Sequence, residues 1–169
     1  LLVGRSTHAE LSLLRVGDAP IPTLENLLAL VDGRVPLLLE IKVEGDIWRW
    51  MPALKKALRD YRGRHGVMSF DPRISRLLKM RFPRVRRGLV IRGLPPVQRQ
   101  LALALADPQF LAVERAALAK PWVARARRTM PVYSWTVRSP EARGQESGQA
   151  DALALSPDAR YATAIEMAH

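Results

Sequence analysis

The feature that most constrains this chain is an alternation repeated along its length. Six short apolar or β-rich runs occur at Leu37–Lys42, Val67–Phe70, Gly88–Ile91, Phe110–Val113, Val132–Val137 and Ala150–Leu155. Between them lie segments whose apolar residues fall at helical spacing. Helices are expected from Thr7 to Leu14, Thr23 to Gly33, Asp46 to Tyr61, Asp71 to Arg81, about Gly93 to Ala106, Pro121 to Arg128, from Ser139, and from Ser156 to about Met167. No hairpin signal joins one strand to the next. Strands separated by helices predict a parallel sheet covered by helices.

Two parallel architectures compete. A doubly wound nucleotide binder is expected to carry a glycine-rich turn after a strand, and Gly88 and Gly93 are not spaced for one. A (β/α)8 barrel places its chemistry at the carboxyl ends of its strands. Those ends here carry Glu40, Lys42, Ser69, Asp71, Arg92, Glu114 and Trp135. The pattern therefore predicts an α/β fold of the TIM-barrel type. A complete barrel has eight units in about 250 residues. This chain has 169 residues and six strands, so about two βα units are expected to be missing. The whole chain, 1–169, is read as one partial barrel domain.

Composition narrows the chemistry. The absence of cysteine removes disulfides, thiolate metal sites and thiol nucleophiles. No apolar run is long enough to span a bilayer, and Leu1–Val3 is too short for a signal-peptide core. The net charge of +11 is concentrated in one stretch: residues 53–99 hold fourteen Lys/Arg against two Asp/Glu. Lys55, Lys56, Arg59 and Arg62, and then Arg73, Arg76, Lys79 and Arg81, alternate with apolar residues at helical spacing. This predicts solvated faces of amphipathic helices rather than a nucleic-acid surface, since no nucleic-acid-binding motif accompanies them.

Three strand-end residues stand out. Glu40 lies inside Leu-Leu-Leu-Glu-Ile, where a carboxylate needs a cation or hydrogen-bond donors. A hard divalent cation suits it, and so does an ion pair with Lys42 two residues on, on the same side of the strand. Lys42 is placed to neutralise an anionic oxygen. Trp135 is either core or pocket wall. The three histidines, His8, His65 and His169, lie away from strand ends, and none is expected to be catalytic.

The order of motifs resembles one family. Ile21-Pro-Thr-Leu-Glu-Asn-Leu-Leu followed by Leu37-Leu-Leu-Glu-Ile-Lys42, then Val67-Met-Ser-Phe-Asp-Pro72, Val132-Tyr-Ser-Trp-Thr-Val137 and Ala150-Asp-Ala-Leu153, is similar to the glycerophosphodiester phosphodiesterases. The resemblance implies a (β/α)8 barrel that hydrolyses glycerophosphodiesters to glycerol 3-phosphate and an alcohol, with a divalent cation, Mg2+ or Ca2+. It implies Glu40 as a metal ligand, Lys42 as a phosphate contact and Trp135 as a substrate-pocket wall. The family's catalytic histidines and its other metal ligands belong to motifs that have no counterpart here. The chain is therefore expected to begin after them and to be inactive alone. The alternative reading is a non-catalytic relative that binds an anionic partner through residues 55–99. A barrel lacking units would also leave an open edge beside the Leu37–Lys42 strand, favouring self-association.

Overall fold

The protein, described from a computed structural model, is placed at residues 6–43, 46–137, 152–155 and 164–167. It divides into two units: Leu1–Pro36 with Val43–Arg64, and Leu37–Lys42 with His65–His169.

In the first unit, helix α1 (His8–Ser12) starts where Thr7 caps it. The Glu10 amide donates to Thr7 Oγ1 at 3.2 Å and the Thr7 amide donates to Glu10 Oε2 at 2.7 Å, a reciprocal capping box. Those bonds hold the Glu10 carboxyl below its ordinary pKa. Strands β1 (Arg15–Val16) and β2 (Ala19–Pro20) form an antiparallel hairpin that was not expected. Its two-residue turn needs a left-handed residue, and Gly17 supplies it at φ +62°. Helix α2 (Leu24–Val31) is capped by Thr23 and Asn26 in the same reciprocal way, as their spacing predicts.

The helix expected over 46–61 is shorter: α3 spans Met51–Leu58. Pro52 has no amide hydrogen and belongs in a first turn, so it fixes where the helix begins. Asp46 instead holds a separate turn by accepting the Trp48 amide at 2.8 Å.

The second unit is built on a seven-stranded sheet. Its strands are β3 (Leu37–Glu40), β4 (His65–Ser69), β5 (Arg86–Ile91), β6 (Phe110–Glu114), β7 (Val132–Val137), β8 (Ala152–Leu155) and β9 (Ala164–Met167). They lie side by side in chain order. From β3 to β8 every pairing is parallel, which requires a crossover between each pair. Helices α4 (Pro72–Arg81), α5 (Pro96–Ala106) and α6 (Pro121–Ala126), with a 3-10 turn at Arg115–Ala117, make the crossovers from β4 to β7.

The expected terminal helix is not formed at its end. Residues 164–167 are strand β9, antiparallel to β8, so ladder hydrogen bonds at the β8 edge override local helical spacing. β9 also comes alongside β3. The helix expected from Ser139 lies outside the described residues.

Parallel register puts paired residues on the same side of the sheet, so the pairings sort every strand residue onto one of two faces. One face carries Leu89, Ile91, Leu111, Val113 and Val132, which pack with Ala106, Ala117, Leu118 and Val123 from the helix layer. The other carries Leu38, Gly66, Met68, Gly88, Val90, Phe110, Ala112 and Tyr133. There the Phe110 and Tyr133 rings meet edge to face at 5.2 Å, with Leu38 and Met68 packed against them. Leu38 is on β3 and Phe110 on β6, three strands away. A flat sheet would separate them by about 14 Å. This face is therefore the inside of a curled sheet. Gly88 makes room for that packing, because a Cβ there would overlap the Phe110 ring.

Candidate functional site

The inner face changes character at the carboxyl ends of the strands. Two residues beyond Leu38 is Glu40, and two beyond that is Lys42. The same step of two leads from Met68 to Phe70, from Val90 to Arg92, from Ala112 to Glu114 and from Tyr133 to Trp135. Glu114 and Trp135 are directly opposite in the β6–β7 ladder. Between this rim and Arg86 at the amino end of β5 the inner face is apolar. At the rim it carries two acids, two bases and two aromatic rings.

The rim groups form two charge pairs and one ring pair. Lys42 Nζ lies 4.0 Å from Glu40 Oε1, and the Lys42 side chain is 83% exposed against 28% for Glu40. An ion pair this long and this wet contributes at most about 1 kcal/mol, so it does not tie the ammonium down. Arg92 Nε lies 3.6 Å from Glu114 Oε2, while Glu114 Oε1 accepts the Gly93 amide at 3.1 Å. Glu114 therefore orients Arg92 and fixes the start of the β5–α5 connection together. Phe70 and Trp135 stand edge to face at 6.0 Å. Phe70 directly follows β4 and Trp135 lies in β7, so the curl closes over the rim as it does lower down. The Trp135 indole Nε1 is buried and has no hydrogen-bond partner among the described residues.

Ser69 and Asp71, also at strand ends, are used differently. Ser69 is on the helix side, where its Oγ donates to the Ile41 carbonyl at 2.7 Å and accepts the Asp71 amide at 3.2 Å. Asp71 caps α4 by accepting the Arg73 amide at 2.9 Å and pairs with the Arg73 guanidinium at 2.5 Å. That hydrogen-bonded guanidinium lowers the Asp71 pKa against the opposing effect of partial burial. Both residues join β4 to its helix. His65 opens β4 opposite Leu37, at the amino end of the sheet and away from the rim.

Sequence reasoning named Glu40, Lys42 and Trp135, and all three fall on the inner rim. It noted Arg92 and Glu114 as strand-end residues but missed their partnership, and it gave Phe70 no role. The signal for all three was parity: each stands an even number of residues from an inward-facing strand position.

The described residues do not fit a divalent cation by themselves. Mg2+ and Ca2+ take at least six oxygen ligands. Glu40 brings one carboxylate with a lysine beside it, and Glu114 is engaged with Arg92 and Gly93. Among the described residues no three of His, Asp and Glu gather in a set able to hold a metal.

No family model matches the sequence, and no curated protein matches it. Solved structures do. The fold matches a phosphodiesterase from Oleispira antarctica, solved with its product sn-glycerol 3-phosphate, at TM-score 0.74 and 20% identity. That match covers 88% of this chain and 65% of the other. A protein of Galdieria sulphuraria assigned to the glycerophosphodiester phosphodiesterases matches at 0.72 and 23% identity, covering 90% and 66%. A glycerophosphodiester phosphodiesterase from Parabacteroides distasonis matches at 0.71 and 19%, covering 88% and 66%. The chain thus spans just under two thirds of the length of these structures. Over that span it has the fold of the glycerophosphodiester phosphodiesterases.

Proposed function

We propose that this chain is part of a glycerophosphodiester phosphodiesterase, which hydrolyses glycerophosphodiesters to glycerol 3-phosphate and an alcohol. The observation that carries this is the inner rim: Glu40, Lys42, Arg92, Glu114, Phe70 and Trp135 share one face at the carboxyl ends of parallel strands. In a barrel of this kind that is where substrate meets protein.

The roles follow from the chemistry of the groups. Lys42 offers a compact, loosely held ammonium to a phosphate oxygen. Negative charge on that oxygen grows as the diester is attacked, so the contact favours the transition state over the ground state. Glu40, 4.0 Å from that ammonium, is a weak partner that leaves it available to the substrate. Trp135 and Phe70 supply an apolar wall for the carbon skeleton. Arg92, held by Glu114, is a second cation on the same rim. These groups bind and orient an anionic diester, and no step is assigned to a metal.

Hydrolysis of glycerophosphocholine by the full-length gene product tests the reading. The assay is run with Mg2+, with Ca2+ and with chelator. Release of glycerol 3-phosphate supports the proposal, and its absence under all three conditions refutes it.

A further inference from the structure

We propose that the outward surface formed by α4 and α5 docks onto an anionic lipid bilayer. Val97, Leu101 and Leu105 recur at every fourth position of α5 and are 68%, 65% and 44% exposed. The opposite side of the same helix, Ala102, Leu103 and Ala106, is packed into the core. The exposed stripe is thus additional to the apolar face that α5 needs in order to fold. It is not the seat of another layer helix. α4 lies along one side of α5, and on the other side Arg99 is stacked 4.5 Å over the Trp122 ring of α6.

The neighbouring face of α4 supplies the charge. Ile74, Leu77 and Leu78 are buried, while Arg73, Arg76, Lys79 and Arg81 are exposed together with Met80, itself 60% exposed. Neither α4 nor α5 contains an acidic residue. Among the described residues, the carboxylates paired with this surface stand at its ends, Asp71 on Arg73 and Asp107 on Lys79 and Arg87. Arg76, in the middle of α4, has no acid beside it in sequence and no ion pair among the described residues.

An apolar stripe bordered by an all-basic one is the pattern of surfaces that rest in a headgroup layer. The apolar side chains enter the acyl boundary, and the arginines and lysines meet anionic headgroups. No helix among the described residues is long and apolar enough to cross a membrane, so the contact is peripheral. A second copy fits less well. A two-fold contact through this face would bring basic α4 surfaces together, and its few apolar side chains fall short of the roughly 800 Å² per partner of a stable interface. The inference stands apart from the phosphodiesterase reading, because it uses none of the rim residues.

Vesicle co-sedimentation of the chain tests it. Vesicles of phosphatidylcholine alone are compared with vesicles containing phosphatidylserine. The chain is expected to bind the anionic vesicles and not the neutral ones, with binding weakened by salt. Val97→Asp with Leu101→Asp is expected to lower the binding constant by about tenfold or more. Arg76→Glu, a change of two charges, is expected to lower it by about tenfold. Lys55→Glu with Lys56→Glu on α3 controls for net charge and is expected to do less. Circular dichroism checks that each variant folds. Lack of binding to anionic vesicles would overturn the proposal. So would binding that survives Val97→Asp with Leu101→Asp, an α3 effect as large as that of Arg76→Glu, or tight binding of polyglutamate that Leu101→Asp leaves intact. Sedimentation as a dimer that Leu101→Asp dissociates would assign the face to a second copy instead.

Discussion

The two faces of the same strands do different work. On the helix side, Leu89, Ile91, Leu111, Val113 and Val132 form an apolar layer, with buried Ser69 and Ser134 on the same face. On the inner side, apolar packing around Phe110 and Tyr133 gives way at the carboxyl ends to Glu40, Lys42, Arg92, Glu114 and Trp135. Because adjacent residues alternate between faces, one strand contributes to both. Val113 is fully buried, and Glu114 beside it holds a cation at the rim. Core packing and the proposed binding rim are thus separated by a single position in sequence, and substitutions one residue apart should have unlike consequences.

The sharpest contrast comes from the helix side. Leu111→Ala removes a fully buried side chain and is expected to cost about 2–5 kcal/mol in chemical denaturation. A much smaller loss would mean that this layer is not the core. Next comes the inner packing. Gly88→Ala places a methyl group against the Phe110 ring and is expected to cost about 1–3 kcal/mol. If it stabilised the fold instead, the inner face would be looser than described.

The ion pairs outside the rim predict a weaker, pH-dependent effect. The hydrogen bond from Lys79, and then Arg87, holds the Asp107 pKa below its ordinary value, as Arg73 does for Asp71. A lowered folded-state pKa gives stability that is present above the unfolded value. It is lost as pH falls through the folded one. Thermal melts should therefore be flat near neutrality and fall below about pH 4. Lys79→Met should reduce the slope of that acid limb, and an unchanged slope would remove Asp107 from the account. Smallest of all is the effect of the rim on stability. Lys42→Ala and Arg92→Ala remove exposed ends of wet ion pairs and are expected to change stability by no more than about 0.5 kcal/mol.

Much of the sheet could be read from the sequence because each parallel strand is a short apolar run bounded by turn residues. Leu37–Glu40 and Phe110–Glu114 are instances. The caps were readable for a local reason: Thr23 and Asn26, or Asp71 before Pro72, need only their own neighbours to do their work. The failures arise where distant contacts or single residues decide. Residues 164–167 join β8 through a ladder that local spacing does not announce. Pro52 shortens α3, and Gly17 turns a hairpin too short to show alternation. Of the site, the residues whose character is odd for a strand end were visible, Glu40 and Lys42 above all. The Arg92–Glu114 pair and the Phe70–Trp135 contact depend on register and curl, which a list of strand ends does not contain.

The most direct test of the account is whether the inner rim serves a phosphodiester. In the full-length gene product, glycerophosphocholine hydrolysis is compared between the natural protein, Lys42→Ala and Arg73→Ala, the last from the helix side of the sheet. The account predicts that Lys42→Ala lowers kcat/KM by about a hundredfold with the fold unchanged, while Arg73→Ala leaves it near the natural value. Hydrolysis that survives Lys42→Ala undiminished would contradict it.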